Sequence, residues 1–64
     1  MHSRKVVEKL IADGWGLRGV RGSHHIYVHP IKLGHIVVTH PRKDMPIGLL
    51  RAIFKQAGIK EGWK

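Results

Sequence analysis

The stretch Gly22-Ser23-His24-His25-Ile26-Tyr27-Val28-His29 decides how this chain is read. Gly-Ser is turn chemistry, since glycine reaches the left-handed backbone conformations that reverse a chain. The residues after it alternate, with Ile26 and Val28 on one side and His25, Tyr27 and His29 on the other, the period of two that marks a strand. Residues 35–40 repeat the alternation, Ile36 and Val38 opposed by Val37 and Thr39, until Pro41 stops it. Residues 30–34 are the loop between. On the other side of the turn, residues 15–21 carry apolar Trp15 and Leu17, but Gly16 and Gly19 predict a weak or bulged strand.

Helical periodicity flanks these strands. Ser3 is a suitable N-cap, after which Val6, Val7, Leu10 and Ile11 form one stripe and Arg4, Lys5, Glu8 and Lys9 face away, until Asp13-Gly14 ends the pattern. Near the C-terminus, Pro46 fits a first helical turn, where a missing N–H is no loss. Ile47, Leu49, Leu50, Ile53, Phe54 and Ala57 then form an arc opposite Arg51, Lys55 and Gln56, and Gly58 closes it. The order is α-β-β-β-α. This predicts an α+β fold spanning residues 1–64 as one domain: a three-stranded antiparallel sheet with both helices on one face and the other face open.

At 64 residues folding buries only about 60% of the unfolded chain's surface, so the core is small. Cysteine is absent, which excludes a disulfide framework, and the histidines lack the partners of a structural zinc site. Twelve Lys and Arg stand against four Asp and Glu, a formal charge of +8 and a pI near 10.7. That imbalance points to a polyanionic partner: nucleic acid, an anionic membrane or an acidic protein. The N-terminal residues lack the long apolar run of a secretion signal or membrane span, so a cytoplasmic location is expected. The helices have the ordinary faces of a sheet-packed domain, which argues against a membrane-lying peptide.

His24 shares parity with Ile26 and Val28, so its ring is expected on the helix-covered side at the sheet's end, with His25 on the open face. A histidine at a strand start is commonly only a half-exposed polar residue. Beside arginine and lysine, however, an imidazole suits proton transfer on a phosphodiester. His29, His35 and His40 are expected as solvated strand ends; a metal cluster with His24 or His25 is disfavoured because no acidic residue stands nearby. Trp15 is expected in the core and Trp63 in a tail. Arg18, Arg21, Lys32, Arg42, Lys43, Arg51 and Lys55 are candidate phosphate contacts, which position a backbone without reading sequence.

The short first helix with Asp-Gly-Trp, then Gly22-Ser23-His24-His25-Ile26-Tyr27, His29-Pro30, a Val-rich strand, His40-Pro41-Arg42-Lys43-Asp44-Met45-Pro46 and Lys55-Gln56-Ala57-Gly58-Ile59 together resemble the HicA family of mRNA interferase toxins. The resemblance covers nearly the whole chain. It implies a double-stranded-RNA-binding-domain-like α-β-β-β-α fold, a toxin of a type II toxin–antitoxin pair, and endoribonuclease action on mRNA without a metal or other cofactor. The family's catalytic histidine follows the Gly-Ser or Gly-Gly turn, which here is His24. Arg21, Ser23, His25, Arg42, Lys43 and Lys55 are then the expected RNA-binding residues. The implied partner is a HicB antitoxin, and any DNA contact belongs to the antitoxin or the assembled pair, since no helix here has a recognition-helix pattern. The alternative is a non-catalytic RNA-binding or ribosome-associated module on the same basic fold.

Overall fold

The computed structural model describes residues 1–59; the expectation for Trp63 and the tail falls outside them. Helix α1 (Ser3–Ala12) starts after His2, whose Nδ1 accepts the Arg4 N–H at 3.0 Å and makes His2 the N-cap. Ser3, expected to cap, is instead the first helical residue and fully buried, its hydroxyl drawn into a long-range contact. The helix ends at Asp13, and Gly14 turns the chain at φ +103°. Helix α2 (Ile47–Ala57) follows Pro46 as its N-cap and ends on Gly58 at φ +72°. Val6 and Leu10 of α1, and Leu50, Ile53, Phe54 and Ala57 of α2, are buried. Ile11 and Ile47, expected in those stripes, are more than half exposed because so small a sheet covers only a narrow line along each helix.

Strands β1 (Gly16–Arg21), β2 (His24–Val28) and β3 (His35–Thr39) form an antiparallel sheet in that order. The expected irregularity in β1 is a bulge: Leu17 pairs with Tyr27 and Gly19 with Ile26, so Arg18 is the extra residue. Gly22 takes φ +58° in the turn between β1 and β2.

Register settles which side of β2 faces the helices, and it reverses the expected parity. His25 lies opposite Val38 and Tyr27 opposite Ile36; Tyr27, Ile36 and Val38 are all buried against the helices with Trp15 and Met45. His24, Ile26 and Val28 therefore line the open face. Tyr27 carries more apolar area than either aliphatic neighbour, and its cross-strand partners are the two β3 residues already committed to the core. Burial also raises the pKa of its phenol, which stays neutral inside the core. The helices meet the sheet over β3, leaving β1 at an uncovered edge where Leu17 and Val20 are half exposed.

At the end of the sheet near Gly14, a polar latch ties α1, the β2–β3 loop and α2 together. Lys32 Nζ donates to the Asp13 carboxylate and to the Ala57 carbonyl, the latter at 2.8 Å. His29 Nδ1 accepts the N–H groups of Ile31 and Lys32, both at 3.0 Å, so its proton sits on Nε2 and is donated to the Asp13 carbonyl at 2.9 Å. His29, expected as a solvated strand end, is a structural histidine, and its ring also meets Trp15 edge-on at 5.2 Å.

The Asp13 carboxyl is held below its ordinary pKa of 3.8, first by its hydrogen bond from Lys32. A lowered carboxyl pKa stabilises the fold above the unfolded value and loses that contribution as pH falls through the folded one. Asp13→Asn should therefore cost about 1 kcal/mol at pH 7, at the upper end for a partly exposed pair, and the gap from the parent should close below pH 3.8. Urea unfolding of both proteins at pH 7 and pH 3 checks this; equal midpoints at pH 7 would refute the latch.

Candidate functional site

The turn at Gly22-Ser23 and the two registers build one row of side chains across the open face. Arg21 pairs with His24, and His24 pairs with Thr39. Directly paired residues of antiparallel strands point to the same side with Cβ atoms about 4.5–5.5 Å apart, so Arg21, His24 and Thr39 occupy adjacent positions of one row at the sheet's end. His24 and Arg21 are exposed and Thr39 is half-buried. Unlike the rings of His29 and His40, that of His24 holds no hydrogen bond to another described residue.

Support for this row comes from the other side of the sheet. Ser3 Oγ accepts the Arg42 N–H at 2.8 Å, and the Ser3 N–H donates to the Arg42 carbonyl at 2.9 Å. The same buried hydroxyl hydrogen-bonds His40 Nδ1, 2.7 Å away. The His40 ring meets His25 edge-on at 5.1 Å and His2 at 6.3 Å. The His40 N–H donates to the Ser23 carbonyl at 2.8 Å, so the strand end fastened by Ser3 in turn fastens the turn that carries His24. His40, expected as a solvated strand end, is part of this support, and His35 alone of those three stays exposed.

The other sequence-derived candidates divide by position. Ser23 lies in the turn itself, and Arg42 and Lys43 are exposed on the connector leaving His40, at the same end as His24. His25 is half-buried on the helix side, away from the His24 row. Lys55 sits in the last turn of α2, whose neighbour Gln56 donates to the His35 carbonyl; His35 is about 13 Å along β3 from Thr39. Lys32 is spent in the latch. Among the described residues no three His, Asp or Glu side chains are grouped to hold a metal ion. Sequence reasoning missed Thr39, whose place beside His24 depends on register, and Ser3 and His40, whose contact spans 37 residues.

An exposed imidazole between a guanidinium and a hydroxyl can move a proton while its neighbours hold an anion, the combination a phosphodiester requires. Ser3→Ala would leave the Arg42 N–H without its partner and should cost about 1–3 kcal/mol, with faster hydrogen exchange at the His40 amide. Urea unfolding and amide exchange measure both; unchanged stability would show that the Ser3 contact contributes nothing.

The family model for the HicA toxin of bacterial toxin–antitoxin systems matches residues 3–59. A chain of a solved HicA3 and HicB3 toxin–antitoxin complex is similar at 38% identity, covering 94% of this chain and 97% of that one, with a TM-score of 0.87. No curated protein matches. The α-β-β-β-α architecture is thus that of the HicA fold, and on sequence and structure together the chain belongs to the HicA toxin family.

Proposed function

We propose that this toxin is an mRNA interferase, an endoribonuclease in which His24 is the catalytic residue. The observation that carries the reading is the Arg21–His24–Thr39 row: one unencumbered imidazole on an exposed face, flanked by a cation and a hydroxyl. His24 takes the proton of a ribose 2′-hydroxyl as its oxygen attacks the adjacent phosphorus. The bond from phosphorus to the 5′-oxygen then breaks, and that oxygen is protonated by the imidazolium or by water, leaving a 2′,3′-cyclic phosphate and a 5′-hydroxyl. The nucleophile belongs to the substrate, so the protein supplies proton transfer and charge stabilisation. Positioned proton transfer is worth about 10²–10⁴-fold. Arg21, with the Thr39 hydroxyl and the Ser23 turn beside it, faces the negative charge that grows on the phosphorane, a contribution of roughly 2.7–4 kcal/mol for a well-placed donor. Arg42 and Lys43, on the adjoining connector, hold flanking phosphates.

A toxin needs restraint, and the solved relative is a toxin bound to its antitoxin. Here the partner is a HicB antitoxin whose acidic or neutral surface covers His24 and the basic end of the sheet, blocking substrate entry and proton transfer together. In the cell the substrate is cytoplasmic mRNA.

The test is cleavage of an end-labelled mRNA in excess EDTA by the parent, His24→Ala, His25→Ala and Arg21→Ala proteins, each checked for folding by circular dichroism. The parent and His25→Ala cleave and leave 5′-hydroxyl ends; folded His24→Ala is inactive, and Arg21→Ala loses about 10²–10³ in kcat. Binding without cleavage by every protein would make the chain an RNA-binding module, and 5′-phosphate ends or activity abolished by EDTA would reject the mechanism.

A further inference from the structure

Two glycines of β1, Gly16 and Gly19, are not called for by a left-handed backbone. Gly14, Gly22 and Gly58 all have positive φ, and a Cβ at Gly14 would lie 2.8 Å from His29 Nε2 and one at Gly58 3.1 Å from Lys32 Nζ. Gly16 and Gly19 have no such φ, and a Cβ at either position would meet nothing within 4 Å. Glycine weakens a strand, and although Gly19 borders the bulge at Arg18, neither position needs glycine for its φ or for want of space.

Register places both on the open face, in rows that continue from the His24 row. Gly19 stands beside Ile26 and Val37, and Gly16 beside Val28 and His35. Alternate residues along a strand are about 6.8 Å apart, close to the backbone step of one extended nucleotide. The face is therefore a graded strip: Arg21, His24 and Thr39 at one end, then a floor of Ile26, Val37 and Val28 with bare backbone at its side. Val37 is 43% exposed, and Arg18, exposed at the bulge, adds a second cation to the β1 edge.

We infer that this strip seats unpaired nucleotides flanking the scissile phosphate, so that the substrate of the site is single-stranded rather than duplex RNA. The inference rests on the ribonuclease reading for its ligand and extends it to a substrate class. Aliphatic side chains offer nothing to a sugar–phosphate backbone but match the flat face of a base, and only unpaired RNA presents that face. The missing side chains at Gly16 and Gly19 leave room for the ribose and base beside the floor, while Arg18 and Arg21 attract the phosphates. Duplex RNA keeps its bases stacked inside and would touch the strip only through backbone.

Binding, not cleavage, tests this, so its failure is separable from failure of the ribonuclease reading. A His24→Ala chain is titrated at fixed salt into a fluorescein-labelled single-stranded oligoribonucleotide and into a hairpin duplex of the same composition, alone and with Gly19→Val or Gly16→Val added. The single strand binds more tightly than the hairpin. Each valine variant melts at or above the temperature of the His24→Ala chain and binds the single strand about tenfold more weakly, the order of one lost base stack, with hairpin affinity unchanged. Undiminished single-strand affinity in a folded valine variant, or equal affinity of the His24→Ala chain for both RNAs, overturns the proposal. Normal RNA binding coupled to lost antitoxin binding in the valine variants also overturns it and assigns the strip to the protein partner. Should one valine variant fail to fold, the other carries the same comparison.

Discussion

Helices of ten and eleven residues can cover one face of a three-stranded sheet and no more. Everything else about this chain follows from which face they take. Tyr27, Ile36 and Val38 take the covered side and close the core with Trp15, Phe54 and Leu10. The alternate set, His24, Ile26, Val28, Val37 and Thr39, is left towards solvent by the geometry of the pleat. A one-residue slip between β2 and β3 would exchange the two sets and bury His24. The register that protects the core is thus the same constraint that presents the imidazole.

Two polar ties, one at each end of the sheet, hold that register against slippage. At the far end Lys32 joins Asp13 to the Ala57 carbonyl, while His29 caps the loop that Lys32 belongs to. At the near end Ser3 holds Arg42 and His40, and His40 holds the Ser23 carbonyl. Each tie links elements distant in sequence, so each constrains tertiary geometry rather than any single element. No buried side-chain nitrogen or oxygen among the described residues lacks a partner, which is what allows so small a core to carry polar groups without a desolvation cost. Four histidines, His2, His25, His29 and His40, serve capping or packing contacts. The rings of His24 and His35 hold no such contact among the described residues.

Local signals in the sequence were sufficient for the elements and insufficient for their sidedness. The turn at Gly22, the stops at Gly14 and Gly58 and the bulge near Gly19 all depend on backbone preferences of neighbouring residues, and each stands where the pattern places it. Alternation shows that Ile26 and Val28 oppose Tyr27, and by polarity favours the aliphatic pair for the inside, but it does not weigh the larger apolar area of the one aromatic on the other side. That decision needed the pairing of Tyr27 with Ile36 and of His25 with Val38. Ser3 shows the same limit: its position before an apolar stripe marks it as a cap, yet its hydroxyl is claimed by residues 37 and 39 positions away. The family resemblance points to His24 as the residue after the turn, but its neighbours Arg21 and Thr39 emerge as a row only once three strands are in register.

The same sidedness leaves a surface that is both basic and partly apolar. Leu17, Val20 and Val37 on the sheet, and Ile31 and Leu33 on the β2–β3 loop, are substantially exposed, a burden for a chain of 64 residues. A formal charge of +8 keeps copies of the chain apart, since like-charged surfaces repel before their apolar patches meet. It also draws polyanions toward the open face without selecting among them, because attraction of that kind is long-ranged and indifferent to sequence. Selection must then come from short-range fit. On this molecule short-range fit is concentrated where the apolar floor of Ile26 and Val37 meets the polar row of Arg21, His24 and Thr39, so the surface left bare by a small fold is also the surface with the most to recognise a ligand.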